Sequence, residues 1–236
     1  MASAQYDYSR PAHVPRPHDL LMIAADTIAG SAPAWARSFI ASGAPVVVRR
    51  APRDGSTVPI GVRGGSRGER HADHVPAASV TGVITPESLI GCRSERVPAL
   101  RCVGLVAGII DAFDARIGAA WGITGAVGYE LATGRAVCHA ASDLDLVLRM
   151  PERLCRGDAR ALYRQLNTLA VRCDVQLETP LGGVALADWA STATRCLVKS
   201  DAGPFLSSDP WRAFGAADTR DDEQGSVMMP CRVLSD

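Results

Sequence analysis

Apolar residues recur at spacings of three and four through Val103, Val106, Ile110, Phe113 and Ile117. This predicts one helix from Pro98 to about Ile117 with a single buried stripe, ended by Gly118. Upstream, Ser31 caps and Pro33 opens a helix from Ala34 to about Ala41, and Gly43 stops it. Pro45–Arg49 and Val58–Val62 read as strands, followed by a loop from Arg63 to Arg70. Thr85 caps a short helix whose first residue is Pro86. After residue 118, Ile123–Leu131 and Ala136–His139 read as two strands around a Thr133-Gly134 turn, with Leu144–Leu148 a third strand closed by Pro151. A helix from Asp158 to Val171 turns Leu162, Leu166 and Leu169 inward. Cys173–Glu178, a short helix at Leu186–Ser191 and a strand at Cys196–Lys199 complete the pattern.

This predicts an α/β (α+β) protein with a mixed sheet flanked by helices. Residues 1–17 read as a flexible arm, 18–90 as a small β-rich α/β domain, 98–214 as a larger catalytic domain and 215–236 as a flexible tail. The boundary falls in the small polar stretch near 80–97.

Composition narrows the function. With 47% apolar and 21% charged residues, the 236-residue chain is neither disordered nor fibrous. Twenty-five acidic residues balance 25 basic ones, so there is no positive excess of the kind that coats nucleic acid. Lys199 is the sole lysine; every other cation of that count is arginine. The seven cysteines are odd in number and lack a C-x-x-C, which argues against a zinc ribbon or a disulfide framework. Cys102, Cys173 and Cys196 read as core fillers, and reduced thiols fit the cytoplasm. The N-terminus lacks an apolar signal core, and the apolar run Cys102–Ile110 is too short to span a membrane.

The informative chemistry lies in Thr124-Gly125-Ala126-Val127-Gly128 and, further on, Ser142-Asp143-Leu144-Asp145-Leu146. Strand alternation puts Asp143 and Asp145 on one face, about 7 Å apart, and Leu144 and Leu146 in the core. Such a pair repels itself unless water or a cation intervenes, and Mg²⁺ suits one or two carboxylates plus phosphate. On the strand from Cys173, Asp174, Gln176 and Glu178 share a face. If the two strands pair, Asp174 completes a ligand set for two-metal phosphoryl chemistry. Gly125 and Gly128 let backbone N–H groups approach phosphate oxygens.

This arrangement resembles the nucleotidyltransferase superfamily, marked by a Gly-Ser turn, an Asp-x-Asp strand and a later acid. More narrowly, the chain is similar to the malonate decarboxylase holo-acyl-carrier-protein synthase family, the phosphoribosyl-dephospho-CoA transferases. The resemblance runs from His18 to Trp211. It is carried by HDLL at 18–21, PVVVRR at 45–50, IGVRG at 60–64, ITPE at 84–87, TGAVGYELATG at 124–134, SDLDLVLR at 142–149, DVQLETP at 174–180, then LVKS and DPW. The resemblance implies a nucleotidyltransferase-like catalytic domain. It implies transfer of the 2′-(5″-phosphoribosyl)-3′-dephospho-CoA group from its triphosphate precursor to a serine of the apo acyl carrier protein subunit of malonate decarboxylase, with release of pyrophosphate. Asp143 and Asp145 would bind Mg²⁺, two ions in all, and the triphosphate. Asp174 would hold the catalytic metal and help deprotonate the carrier serine. Gly125, Ala126, Gly128 and Ser142 would contact phosphate. The family's Gly-Ser turn is Gly125-Ala126 here, so the hydroxyl is lost and the backbone N–H stays. Position 69 is Glu where the family would have Gln, and the interval from Gly125 to Asp143 is longer than in the superfamily.

Each residue also has a plainer reading. The aspartates could be solvated strand-end acids, and Asp174 could pair with Arg172. Glu130 reads as a structural partner. Arg63, Arg67 and Arg70 form either a phosphate-binding rim or a solvated loop, without the Gly-Lys-Ser/Thr of a P-loop. Lys199 either neutralises the triphosphate or lies on the surface. His71, Asp73 and His74 read as a polar loop, His139 as a hairpin strand residue, and Trp35, Trp121 and Trp189 as core. Outside the family reading stand a nucleotidyltransferase with another acceptor, a silent nucleotide-binding module and a plain carrier-binding module. Neither nucleic acid nor membrane is an expected partner.

Overall fold

Five short strands, four of them rich in Val, Ile and Leu, form the first sheet of the computed structural model, which describes residues 14–28, 30, 32–65 and 68–212, with only the backbone of 114–117. The strands are β1 (Leu20–Ile23), β2 (Val46–Val48), β3 (Thr57–Arg63), β4 (Arg70–Pro76) and β5 (Val80–Ile84), in the order β4-β3-β2-β1-β5. All neighbours are antiparallel. Helix α1 (Ala34–Ala41) lays Ala36 and Ile40 on this sheet, sharing a core with Leu21, Val46, Val48, Ile60 and Val75.

The second sheet has six strands in the order β11-β10-β9-β8-β7-β6. They are β6 (Ala120–Ile123), β7 (Leu144–Arg149), β8 (Cys173–Thr179), β9 (Gly182–Ala185), β10 (Cys196–Ser200) and β11 (Gly203–Ser207). The helices are α2 (Pro98–Arg101), α3 (Val103–Ile117), α4 (Gly125–Thr133), α5 (Arg156–Leu166) and α6 (Leu186–Ala190). β7 and β8 run parallel, which demands a crossover, and α5 supplies it. Alternation sorts the two faces. Leu144, Leu146, Leu148, Val175 and Leu177 join Val106, Ile110, Leu162, Leu166 and Trp189 in one buried core. The other face carries Asp145 and Arg149 of β7 and Asp174, Gln176 and Glu178 of β8, registered Asp145 to Asp174 and Arg149 to Glu178.

That polar face meets the first sheet through ions. Arg149 donates to Glu87 at 2.9 Å and lies 3.7 Å from the fully buried Asp19, while Arg50 donates to Glu178. Arg16 donates to Glu87 at 3.1 Å. Burial alone raises Glu178, but hydrogen bonds from His18 and Arg50 and the Arg50 charge outweigh it and hold the carboxyl at about 2. Breaking one partner of so enclosed an ion pair typically costs about 3–5 kcal/mol.

Several expectations are corrected. Ile123–Leu131 is not a strand: β6 ends at Ile123 and α4 follows, and Ala136–His139 is irregular rather than its hairpin mate. Gly134, read as a hairpin turn, is the left-handed residue that closes α4, with φ of 69°. Small residues at 125, 126, 128 and 132 blurred the helical period there. Residues 70–76 form β4 rather than a polar loop; its mostly exposed edge position leaves no apolar alternation to read. The helix over 98–117 is interrupted at Cys102, although the ladder continues on both sides. α5 ends at Leu166 rather than Val171. β5, β9 and β11 are strands absent from the sequence reading, and β6 begins at Ala120, ahead of the expected Ile123. The readings of residues 1–13 and 213–236, of Ser31 and Arg67, and of the Ile117 side chain lie outside the described residues. Among the described residues no helix is long and apolar enough to cross a membrane.

Candidate phosphoryl-transfer site

A cleft of about 950 Å³ opens between the two sheets, bounded by Leu20, Val47 and Ile84 on one side and by α4 and the start of β7 on the other. Two carboxylates, Asp143 and Asp145, line it, and a third, Asp174, stands beside them. Asp143 and Asp145 flank the buried Leu144, and β8 brings in Asp174 by direct register with Asp145. One oxygen from each lies within 4.8 Å of the others, the sole such cluster of three or more acidic, His or Cys ligands among the described residues. Ser142 shapes the approach: its hydroxyl accepts from the His139 N–H at 3.0 Å, and its own N–H returns to the His139 carbonyl at 3.0 Å.

The β6–α4 turn closes over these acids. Thr124 N–H donates to the Asp145 carbonyl at 2.9 Å, and Gly125 then turns with φ of 61°. A side chain at Gly125 would run into the Asp145 carboxylate, so only glycine fits. At Gly128 a Cβ would come 2.6 Å from the Ile123 carbonyl oxygen. The first N–H groups of α4 have no acceptor inside the helix and carry its positive end. Oxygen acids and free backbone donors thus border one space, suited to a polyphosphate and its cation.

The electrostatics fit a hard divalent cation. Burial, then the neighbouring charges of Asp143 and Asp174, push the Asp145 carboxyl up to about 6. His18 and Arg172 oppose that rise. Arg172 grips Asp174 through two bonds, 3.0 and 2.9 Å, so the plainer ion-pair reading of Asp174 also holds. The all-oxygen donor set suits Mg²⁺, and the depressed ionisation of Asp145 is what a second positive charge would relieve.

Other predicted residues are scattered. Arg63 lines the cleft with Gly64 and Gly65, whereas its hairpin partner Arg70 does not. Lys199 lies exposed on β10 opposite Gly183, outside the cleft. Glu130 is a structural partner: Arg96 donates to both of its oxygens, and the Val137 and Cys138 N–H groups donate at 2.9 and 2.8 Å. Those bonds, led by Arg96, hold its carboxyl at about 2. His71 lies 3.4 Å from Asp73 and forms no metal cluster with His74. Trp121 and Trp189 are core, with Trp35 half-buried.

The cleft also contains residues with no site role in the sequence reading: His18, Phe39, Tyr129 and Arg135. His18, the sole non-glycine at positive φ (76°) among the described residues, approaches Gln176 at 2.8 Å and Glu178 at 3.5 Å. Its position before HDLL's apolar pair was the one available signal. Phe39 and Tyr129 come from different layers, so nothing in the linear order joins them.

The family model described as phosphoribosyl-dephospho-CoA transferase MdcG N-terminal domain matches residues 16–86, and the corresponding C-terminal domain model matches residues 93–210. A phosphoribosyl-dephospho-CoA transferase of Azotobacter vinelandii is 46% identical over 206 residues, covering 86% of this chain and 97% of its own. One from Pseudomonas putida strain W619 is 45% identical over 204 residues, covering 86% and 98%. One from Pseudomonas aeruginosa is 44% identical over 203 residues, covering 84% and 94%. No solved structure matches. With both family models matched in order and relatives this similar along nearly their whole length, the chain belongs to the phosphoribosyl-dephospho-CoA transferase family.

Proposed function

We propose that the protein transfers the 2′-(5″-phosphoribosyl)-3′-dephospho-CoA group from its 5″-triphosphate precursor to a serine of the apo acyl carrier protein subunit of malonate decarboxylase, releasing pyrophosphate, in the cytoplasm. The observation that carries this reading is the Asp143, Asp145 and Asp174 cluster beside the N-terminal turn of α4, at the edge of a cleft large enough for a nucleotide. In this reading residues 18–90 and 98–214 act as two domains that bound the cleft from opposite sides.

The three aspartates hold Mg²⁺, two ions in all; when bound, these neutralise charge on the triphosphate. The N–H groups of Gly125 and Ala126 orient the outer phosphates, and Gly128 keeps that turn close. Ala126 has no hydroxyl to add, so the backbone does this work alone. Ser142 fixes the loop that presents Asp143, and Arg63 lends charge at the far wall. Asp174 accepts the proton as the serine oxygen bonds to the α-phosphorus and the bond to pyrophosphate breaks. Positioning and charge supply most of the acceleration in such a transfer.

Pyrophosphate release should require the apo carrier, the triphosphate precursor and a divalent cation together. Asp143→Asn and Asp174→Asn should each lower it by about a hundredfold or more. Release without the carrier would point to another acceptor, and unchanged release in both variants would remove the aspartates from the reaction.

A further inference from the structure

We infer that the arm of the cleft walled by Phe39, Tyr129, Arg135 and Val137 is a purine subsite, which takes the adenine of the dephospho-CoA group; the choice of ligand rests on the function proposed above.

Val137 is 45% exposed and apolar, in a segment without regular structure, yet it faces the cleft. The segment is firmly pinned. The buried Glu130 carboxylate accepts from the Val137 and Cys138 N–H groups, and Arg96 clamps that carboxylate while donating to the Cys138 carbonyl at 2.7 Å. A buried carboxylate, paired with the exposed Arg96, therefore fixes the backbone beneath an exposed apolar side chain. That arrangement serves contact with a ligand better than it serves the free protein.

The neighbouring walls are flat. Phe39 of α1 and Tyr129 of α4 lie with ring centroids 6.4 Å apart and planes 28° from parallel. The Arg135 guanidinium sits 5.9 Å from the Phe39 centroid, fixed by bonds to the Ser42 carbonyl and hydroxyl at 3.1 and 3.2 Å. Two near-parallel rings, a planar cation and a fixed apolar contact recognise a flat heterocycle. The pantetheine arm is a poorer match. It is flexible and presents no flat face to lie against these rings.

Position agrees. Tyr129 is four residues along α4 from Gly125, about 6 Å of rise. The adenine and the 5″-phosphate of the transferred group are separated by two ribose rings. The base must therefore lie beyond the phosphate end of α4 and not beside it.

The test uses the full chain with dephospho-CoA, adenosine monophosphate, 4′-phosphopantetheine and inorganic tripolyphosphate as probes. Saturation-transfer NMR of bound dephospho-CoA should show the adenine protons most strongly saturated. Val137→Asp, on an exposed side chain, and Arg135→Gln should each weaken dephospho-CoA and adenosine monophosphate by about tenfold, within the range for losing a base contact. Tripolyphosphate binding should stay unchanged. Strongest saturation on the pantetheine methyls, or equal loss of tripolyphosphate and dephospho-CoA, would overturn the subsite. A protein that binds adenine this way but never modifies a carrier would sink the proposed function and leave the subsite standing. Carrier modification with dephospho-CoA affinity unaltered in both variants would do the reverse.

Discussion

Replacing Asp145 by Asn should stabilise the protein in the absence of divalent cations. The Asp145 carboxyl is raised from 3.8 to about 6, first by burial and then by Asp143 and Asp174. A difference of that size between folded and unfolded chains corresponds to about 3 kcal/mol, and water in the cleft screens part of it, leaving about 2 kcal/mol. The sign follows from linkage. Below about pH 4 both states hold the proton and the residue costs nothing. Between about pH 4 and 6 the unfolded chain ionises while the folded chain keeps its proton, so stability falls as pH rises. Above about pH 6 the penalty is fully present, and Asn, which mimics the neutral acid, escapes it. Urea unfolding in a chelating buffer should give the variant about 2 kcal/mol more stability at about pH 7.5, or roughly 4–8 °C in Tm, and no advantage near pH 4. Mg²⁺ should then raise the melting point of the wild type and scarcely that of the variant. A variant equally or less stable at about pH 7.5 would show that the folded protein already favours the Asp145 anion, and the reasoning would fail.

Further outcomes follow from the same contacts. Gly125→Ala combines a positive φ with a collision against Asp145, so kcat/KM should fall about a hundredfold in steady-state assays while stability drops by about 1–2 kcal/mol. Glu130→Gln removes the charge facing Arg96 and loosens residues 137–138; denaturation should show a loss of about 2 kcal/mol near neutral pH, discounted for the exposed Arg96. Because the folded Glu130 titrates at about 2 rather than 4.5, that loss should be largest above about pH 4.5 and shrink as pH falls towards 2. Lys199→Ala should leave kcat/KM within about twofold, since an exposed charge outside the cleft is screened; a large drop would bring β10 back into the site.

How much of this could be read in the linear order depended on period. The aspartates were legible because Asp143, Leu144, Asp145 and Leu146 obey strict strand alternation, and Asp174 repeats it on a strand that becomes the parallel neighbour. The α3 stripe was legible for the same reason. Residues 123–139 are ambiguous in the linear order because small residues flatten both periods, and a glycine that closes a helix looks like one that turns a hairpin. β4 was lost because an edge strand need not bury one face. The cleft's other walls were beyond local reading. His18, Phe39 and Arg135 meet Glu178, Tyr129 and Ser42 across separations of roughly ninety residues or more, set by tertiary packing alone.

The central claim is that the three aspartates direct a phosphoribosyl-dephospho-CoA group onto a carrier serine. The most direct test is the intact mass of the apo carrier protein after incubation with this protein, the triphosphate precursor and Mg²⁺. The account predicts a gain equal to one phosphoribosyl-dephospho-CoA group, absent with chelator and absent with Asp143→Asn. An unmodified carrier in the complete mixture, with precursor bound to the protein, would contradict it.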